Sequence, residues 1–329
     1  MVDASMTRAR ILSYGLGPIG LSIAGLALDR GYTIVGAVDI DPDKVGRDLG
    51  TLLGRAPIGV AVSADPRAAL AAGPQVVLHS TQSHIPEVLP QIIDCLEAGA
   101  CVVSTCEELA FPWYRHPAAA HRIDHVAKTK GVAAVGVGVN PGYVMDVLPI
   151  ALTAPCRSVR AIHVTRVVDA GQRRLPLQRK VGAGMTRDQF VQGVNEGRIG
   201  HVGLAESVAM IAEALGWQLD GISEEIEPVM DGPTVRGLHQ VARGRKDDRS
   251  PITLDLTMAV GAADPRDTVI IDGDPSLTVT VPGGVHGDVA TCAIAVNAIP
   301  RILEAPPGLT TAYRLPPLHA EVEADQAPF

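Results

Sequence analysis

A chain of 329 residues is long enough for about two domains with their own cores, which excludes a peptide-like or collagenous architecture. Hydrophobic residues make up 47% and charged residues 19%, a balance that excludes intrinsic disorder. Lys+Arg 28 against Asp+Glu 36 leave a net charge of −8 with no basic block, so nucleic acid is not an expected partner.

Met1 to Arg10 carry no apolar run of signal-peptide length, and no segment has the uninterrupted apolar length of a membrane span, so a cytoplasmic protein without membrane attachment is expected. Aromatic residues are only 3%, so the core must rest on Ala, Val, Ile and Leu, which suits a helix-covered parallel sheet. Arg10 to Tyr14 reads as a strand, Pro18 to Arg30 as a helix and Thr33 to Asp39 as a second strand. In that helix Leu21, Ala24 and Leu28 are expected to face inward, with Gly25 allowing close approach to the sheet. The alternation continues through Val76 to Ser80 (strand), Pro86 to Ala98 (helix), Cys101 to Thr105 (strand), Pro117 to Lys130 (helix) and Val132 to Val137 (strand). This predicts an α/β Rossmann-type doubly wound parallel sheet.

Beyond Asn140 the pattern changes. A helix over Asp146 to Thr153 leads into an extended run, Val159 to Val168. Thr186 with Gln189 three residues on has capping-box spacing, and another helix covers Ala205 to Leu215. Strand patterns follow at Thr234 to Val241, Ile252 to Val260, Thr268 to Ile271 and Leu277 to Val281 without intervening helices, which predicts an α+β domain with a largely antiparallel sheet. Val289 to Leu303 reads as one helix, and Pro306 to Pro317 as an extended surface arm. The expected division is residues 1–143 as a dinucleotide-binding domain, completed by 288–329, with 144–287 as a substrate and dimerisation domain.

Gly15-Leu16-Gly17-Pro18-Ile19-Gly20 is a G-x-G-x-x-G run that follows a strand and opens a helix, and Asp39 ends the next strand. In that setting the glycines, with Pro18 and Ile19 at the helix start, form a phosphate loop for a dinucleotide. Asp39 is placed to bind the adenine ribose hydroxyls and to repel a 2′-phosphate, which favours NAD(H); Lys44 and Arg47 nearby leave NADP(H) open. Ser80, Thr81 and Asn140, at strand ends, complete the cofactor-binding candidates.

Glu107 and Glu108 follow a parallel strand at the edge where open α/β sheets bind ligands. A partly desolvated Glu there, with its pKa raised, suits proton transfer to and from an amine. Asn140, Pro141 and Tyr143 are candidates for orienting or walling a substrate. Arg166 shares a strand face with apolar Ile162, Val164 and Val168, so its cation needs a partner, either a substrate carboxylate or an acid such as Asp169. Five cysteines without a C-x-x-C pair, and His121 with His125 on a helix lacking the acid of a zinc motif, give no metal site.

Val103-Ser104-Thr105-Cys106-Glu107-Glu108-Leu109, Gly138-Val139-Asn140-Pro141-Gly142-Tyr143, His286-Gly287-Asp288-x-Ala290-Thr291 and Val296-Asn297-x-Ile299-Pro300 resemble the 2,4-diaminopentanoate dehydrogenases and native amine dehydrogenases of the dihydrodipicolinate-reductase-like group. The resemblance implies a homodimeric NAD(P)-dependent enzyme that oxidises a primary amine to a ketone or aldehyde, or runs the reaction backwards with ammonia. It places the catalytic glutamate in the Glu107-Glu108 pair. Sugar-dehydrogenase relatives with Glu-Lys-Pro at this point put their functional lysine at position 108, which selects Glu108, with Glu107 as the alternate and loop anchor. Arg166 resembles the family's substrate-facing arginine and His201 its pocket histidine; Val168, where some relatives are polar, implies a less polar substrate than a diamino acid. A C=N or C=O reductase of the same plan, or a non-catalytic NAD(P)H sensor, are the alternatives.

Overall fold

The computed structural model describes residues 8–172 and 175–320. Its elements begin with β1 (Arg10–Tyr14), α1 (Pro18–Asp29), β2 (Thr33–Val38), α2 (Leu49–Leu52), β3 (Val62–Ser63), α3 (Pro66–Leu70) and β4 (Val76–His79). They continue with α4 (Ile85–Glu97), β5 (Cys101–Ser104), a 3-10 turn (Glu107–Ala110), α5 (Pro117–Lys130), β6 (Ala133–Gly136) and α6 (Val147–Leu152). Next come β7 (Ser158–Asp169), α7 (Leu175–Lys180), α8 (Arg187–Asn195), α9 (Leu204–Ala214), β8 (Gly221–Asp231), β9 (Thr234–Lys246) and β10 (Arg249–Ala259). The chain ends through β11 (Arg266–Asp274), β12 (Leu277–Pro282), α10 (Gly287–Asn297), α11 (Ile299–Leu303) and β13 (Gly308–Thr311).

Two compact units result, one of Met1–Val139 with Gly287–Phe329, the other of Asn140–His286. The Asn140–Tyr143 turn, expected with the first domain, packs with the second.

The first unit holds a parallel sheet in the order β13-β6-β5-β4-β1-β2-β3. The chain winds outward from β1 in one direction and from β4 in the other, so a crevice opens between their carboxyl ends, where such sheets bind ligands. Ile11, Leu12, Val76, Val77 and Val102 are fully buried in its strands, covered on one side by Ile92, Leu96 and Ile123 of the helices. Helix α1 buries Ile23, Ala24 and Ala27, while Leu21 and Leu28 are only half-buried, so the inner face is rotated from the expected one. It also packs against α10, which explains burial on more than one side. The glycine that permits close packing is Gly20, where a Cβ would stand 1.9 Å from the Gly15 carbonyl oxygen, rather than Gly25, whose Cβ would meet only Arg55 and Leu53 at ordinary contact distance.

Two expectations at the C-terminus are corrected. The helix over Val289 to Leu303 is two helices, α10 and α11, with Pro300 in the first turn of the second, where its missing N–H is tolerated. The supposed surface arm contributes β13, which pairs in parallel with β6 and buries Leu309 and Thr311. Prolines on both sides of a four-residue strand concealed it, but an edge strand that short needs no longer pattern.

The second unit is a mixed sheet, β12-β11-β7-β10-β9-β8, antiparallel at every pairing except β7 with β10. Ile252, Leu254, Leu256 and Met258 alternate inward on β10, and the largely buried α9 packs on β8, β9 and β10. Strand β8 had no sequence expectation, because its Glu224, Glu225 and Glu227 mask the period. The Thr186 capping box forms with both reciprocal bonds. Among the described residues no helix is long and apolar enough to cross a membrane.

Candidate active site

The phosphate loop lies at the crevice. Gly15 has φ +88° and a Cβ there would stand 2.4 Å from the Ser80 carbonyl oxygen, so a side chain is excluded twice over. Ser80 Oγ donates to the Gly15 carbonyl at 3.0 Å and the Ser80 N–H donates to Tyr14, tying the loop after β4 to the loop after β1. At Gly17 nothing lies within 4 Å of a Cβ position, so bare backbone faces open space at the N-terminus of α1, the cradle a pyrophosphate requires. With Pro18 at the first helical position, the N–H groups of Ile19 and Gly20 remain as donors. Replacing Gly20 by Ala is expected to weaken dinucleotide binding at least about tenfold and to destabilise the unit by about 1–3 kcal/mol, read by cofactor fluorescence titration and thermal melting.

Asp39 accepts from the Leu16 N–H at 2.7 Å and the Asp41 N–H at 2.9 Å, which holds its carboxylate beside the loop. Lys44 Nζ reaches Asp39 at 3.4 Å and Asp41 at 3.1 Å. Burial works against the Lys44 charge, but the two carboxylates outweigh it and raise its pKa. Behind the loop, His79 is fully buried; its Nδ1 pairs with Ser104 Oγ at 2.9 Å and its Nε2 with Gln91 at 2.8 Å and Thr81 at 3.1 Å. Desolvation lowers its pKa to about 4, so this imidazole is neutral and serves as a rigid strut below Thr81 and the loop after β5.

Glu108, 7% exposed, sits where α4 and α5 begin. Its Oε2 accepts the first helical N–H of α4, from Ile85, at 2.7 Å. Oε1 accepts from His84 Nδ1 at 2.9 Å, and His116 Nε2 stands 2.9 Å from Oε2. His84 and His116 are the residues that precede α4 and α5. Burial pushes the Glu108 carboxyl up, but the His84 and Ile85 hydrogen bonds and the imidazole charges prevail, and its pKa is lowered. This corrects the expected raised pKa: desolvation was anticipated from the strand-end position, whereas the hydrogen-bond donors His84 and Ile85 come from the loop after β4. Glu107 is half-buried and makes no hydrogen bond or ion pair among the described residues, so the anchoring expected of Glu107 is made by Glu108.

In the second unit, Asn140 Nδ2 lies 2.9 Å from His201 Nε2, which is also 3.1 Å from the Asn140 carbonyl, so the structure brings these two candidates together. Gln240 holds His201 by accepting its N–H at 2.8 Å and donating to its carbonyl at 2.9 Å. The turn that carries Pro141 and Tyr143 is fixed by buried Asp146, which accepts from the Gly142 N–H and Ser207 Oγ, each at 2.8 Å. Burial raises the Asp146 pKa against those donors. Pro141 is buried and Tyr143 exposed.

Arg166, 3% exposed, gives Nη1 to both oxygens of Asp267 at 3.0 Å and Nη2 to the Val285 carbonyl at 2.8 Å. Asp267 supplies this carboxylate because it lies directly across from Arg166 in the β7–β11 register. Both line a cavity of about 100 Å³ with Val168, Pro265 and His286. His84, Asp146, Gln240 and Asp267 had no sequence signal, because each gains its meaning from a partner distant in the chain, and His116 had none either. His121 and His125 lie exposed on α5.

Residues 143–327 match the model of the 2,4-diaminopentanoate dehydrogenase C-terminal domain. The chain is 32% identical over 339 residues to the 2,4-diaminopentanoate dehydrogenase of Acetoanaerobium sticklandii, with 94% of each chain covered. It is 26% identical over 350 residues to an amine dehydrogenase of Streptomyces virginiae, covering 92% of this chain and 95% of the other. The solved structure of an amine dehydrogenase from Mycobacterium smegmatis superposes with TM-score 0.86 at 25% identity, over 95% of this chain and 97% of that one. Sequence, phosphate loop and two-sheet architecture therefore agree: the chain belongs to the 2,4-diaminopentanoate dehydrogenase family.

Proposed function

We propose that the protein is an NAD(P)-dependent amine dehydrogenase, oxidising a primary amine to a ketone or aldehyde, or aminating a small ketone or aldehyde with ammonia. The observation that carries this reading is Glu108, a buried carboxylate held ionised on the loop beside the dinucleotide crevice. When bound, the nicotinamide supplies or takes the hydride. Gly15, Gly17, Gly20 and the N–H groups of Ile19 and Gly20 would hold the pyrophosphate, with Ser80 and Thr81 as further candidates on the loop after β4. The Glu108 charge steadies the cationic ammonium and iminium forms of the substrate, which neutral surroundings would disfavour. In the second unit, Asn140, paired with His201, is the candidate for orienting the amine, with Pro141 and Tyr143 as candidate wall residues on the same turn. Because Asp267 already neutralises Arg166, a substrate without a carboxylate fits this site, in keeping with Val168.

Asp39 favours NAD(H) by its charge. Asp39→Ser is expected to shift the NADPH-to-NADH ratio of kcat/KM upward by roughly 10- to 100-fold, since it removes a repulsion and releases Lys44 toward a 2′-phosphate. The same reading includes a homodimer, checked by light scattering, and a cytoplasmic location, checked by cell fractionation.

The deciding assay is NADH and NADPH oxidation with small ketones and aldehydes, with and without ammonium at mildly alkaline pH. Turnover that requires ammonium supports reductive amination. Equal turnover without ammonium replaces it with carbonyl reduction.

A further inference from the structure

Glu108 touches two imidazoles, and they differ in what remains of each. His116 Nε2 is buried at the carboxylate, whereas the His84 side chain is 46% exposed with only Nδ1 committed to Glu108. An ionised carboxylate offers lone pairs alone, so His84 Nδ1 must carry the hydrogen. That leaves Nε2 of the neutral ring with a free lone pair, in a residue that closes the loop after β4, at the carboxyl edge of the sheet where the crevice lies. The pattern is a base oriented by a carboxylate: nitrogen to substrate, opposite N–H to an anion that stabilises the imidazolium. Glu108 is itself fixed by the Ile85 N–H at 2.7 Å, so the imidazole is aimed from a rigid point. The charged or titratable groups against it are Glu108 and, beyond it, His116.

We propose that His84, held by Glu108, is the group that takes the substrate's ammonium proton at Nε2, a reading that rests on the amine dehydrogenase activity above. In the oxidative direction one ammonium N–H bond breaks, its electron pair stays on nitrogen, and an Nε2–H bond forms. Nothing is oxidised or reduced in this step, and the neutral amine goes forward to hydride loss. The imidazolium then releases the Nε2 proton to solvent water, while Nδ1–H stays on Glu108. In the aminating direction the step runs in reverse: the Nε2–H bond breaks and its proton passes to the lone pair of the product amine.

The test is His84→Asn, which preserves a favoured residue type ahead of a helix and a donor toward Glu108. Amine oxidation is expected to fall by about 100-fold or more, dinucleotide affinity to stay unchanged, and added imidazole to restore at least about tenfold. In the wild type, proton NMR should show a low-field His84 Nδ1–H resonance that moves upfield in Glu108→Gln, where a neutral amide oxygen replaces the anion. Turnover of His84→Asn close to wild type overturns the proposal, and so does a loss that imidazole does not repair, since that makes His84 a positioning residue. If the wild type turns over no amine at all, the proposed function has failed and the His84 role falls with it.

Discussion

Glu108→Gln is expected to reduce amine turnover by about 100- to 10,000-fold while leaving dinucleotide affinity within about threefold. Gln keeps the volume but removes the charge, and with it the anion that steadies both the substrate cation and the His84 imidazolium. One side-chain oxygen can still accept from His84, yet the amide NH2 then opposes the Ile85 N–H, which loses its partner at the start of α4. That costs about 1–3 kcal/mol, so melting must accompany the kinetics. Glu107→Gln is the matched control, because Glu107 holds nothing among the described residues. Comparable loss in Glu107→Gln with an active Glu108→Gln would transfer the role to Glu107. The pH dependence has a definite sign. The Glu108 pKa lies below its ordinary 4.5, so the stabilisation from its contacts is present above about 4.5 and is lost as pH falls through the lowered value. Amine turnover at mildly alkaline pH lies far above that window, where Glu108 is an anion throughout.

Asp267→Ala is expected to destabilise the second unit by about 3–5 kcal/mol, measured by urea unfolding, because it leaves the Arg166 guanidinium buried with its principal counter-charge gone. The side chains of this pair are 4% and 1% exposed, so solvent cannot substitute. Burial raises the Asp267 pKa against the pull of Arg166 and the Val285 N–H, and desolvating two charges is costly in any protein interior. For that reason Arg166→Met with Asp267→Leu should recover most of the lost stability, since two apolar side chains pay no such cost. A single variant as stable as the wild type would show that the pair carries little of the packing between β7 and β11.

Much of the architecture was legible because it depends on local repetition. The strand-helix alternation from Arg10 to Val137, the phosphate loop with Asp39, and the alternating inward residues of β10 all repeat at the period of their element. The misreadings arose where local pattern and packing part company. Helix α1 is rotated because it is covered by α10 as well as by the sheet, β8 hides behind its glutamates, and β13 behind flanking prolines.

The candidate site divides in the same way. Glu108, Asn140, Arg166 and His201 could be named from residue type, strand-end position and family resemblance, because chemistry of that kind is carried in the chain itself. Their states were set by residues far away in sequence: His84 and Ile85 give Glu108 its charge, Asp267 takes up that of Arg166, and Gln240 fixes His201 against Asn140. Ionisation and orientation depend on the distance between groups and on the loss of water around them. Neither quantity exists until strands and helices have packed, and so the sequence supplied the reactive groups while the packed chain assigned each its partner.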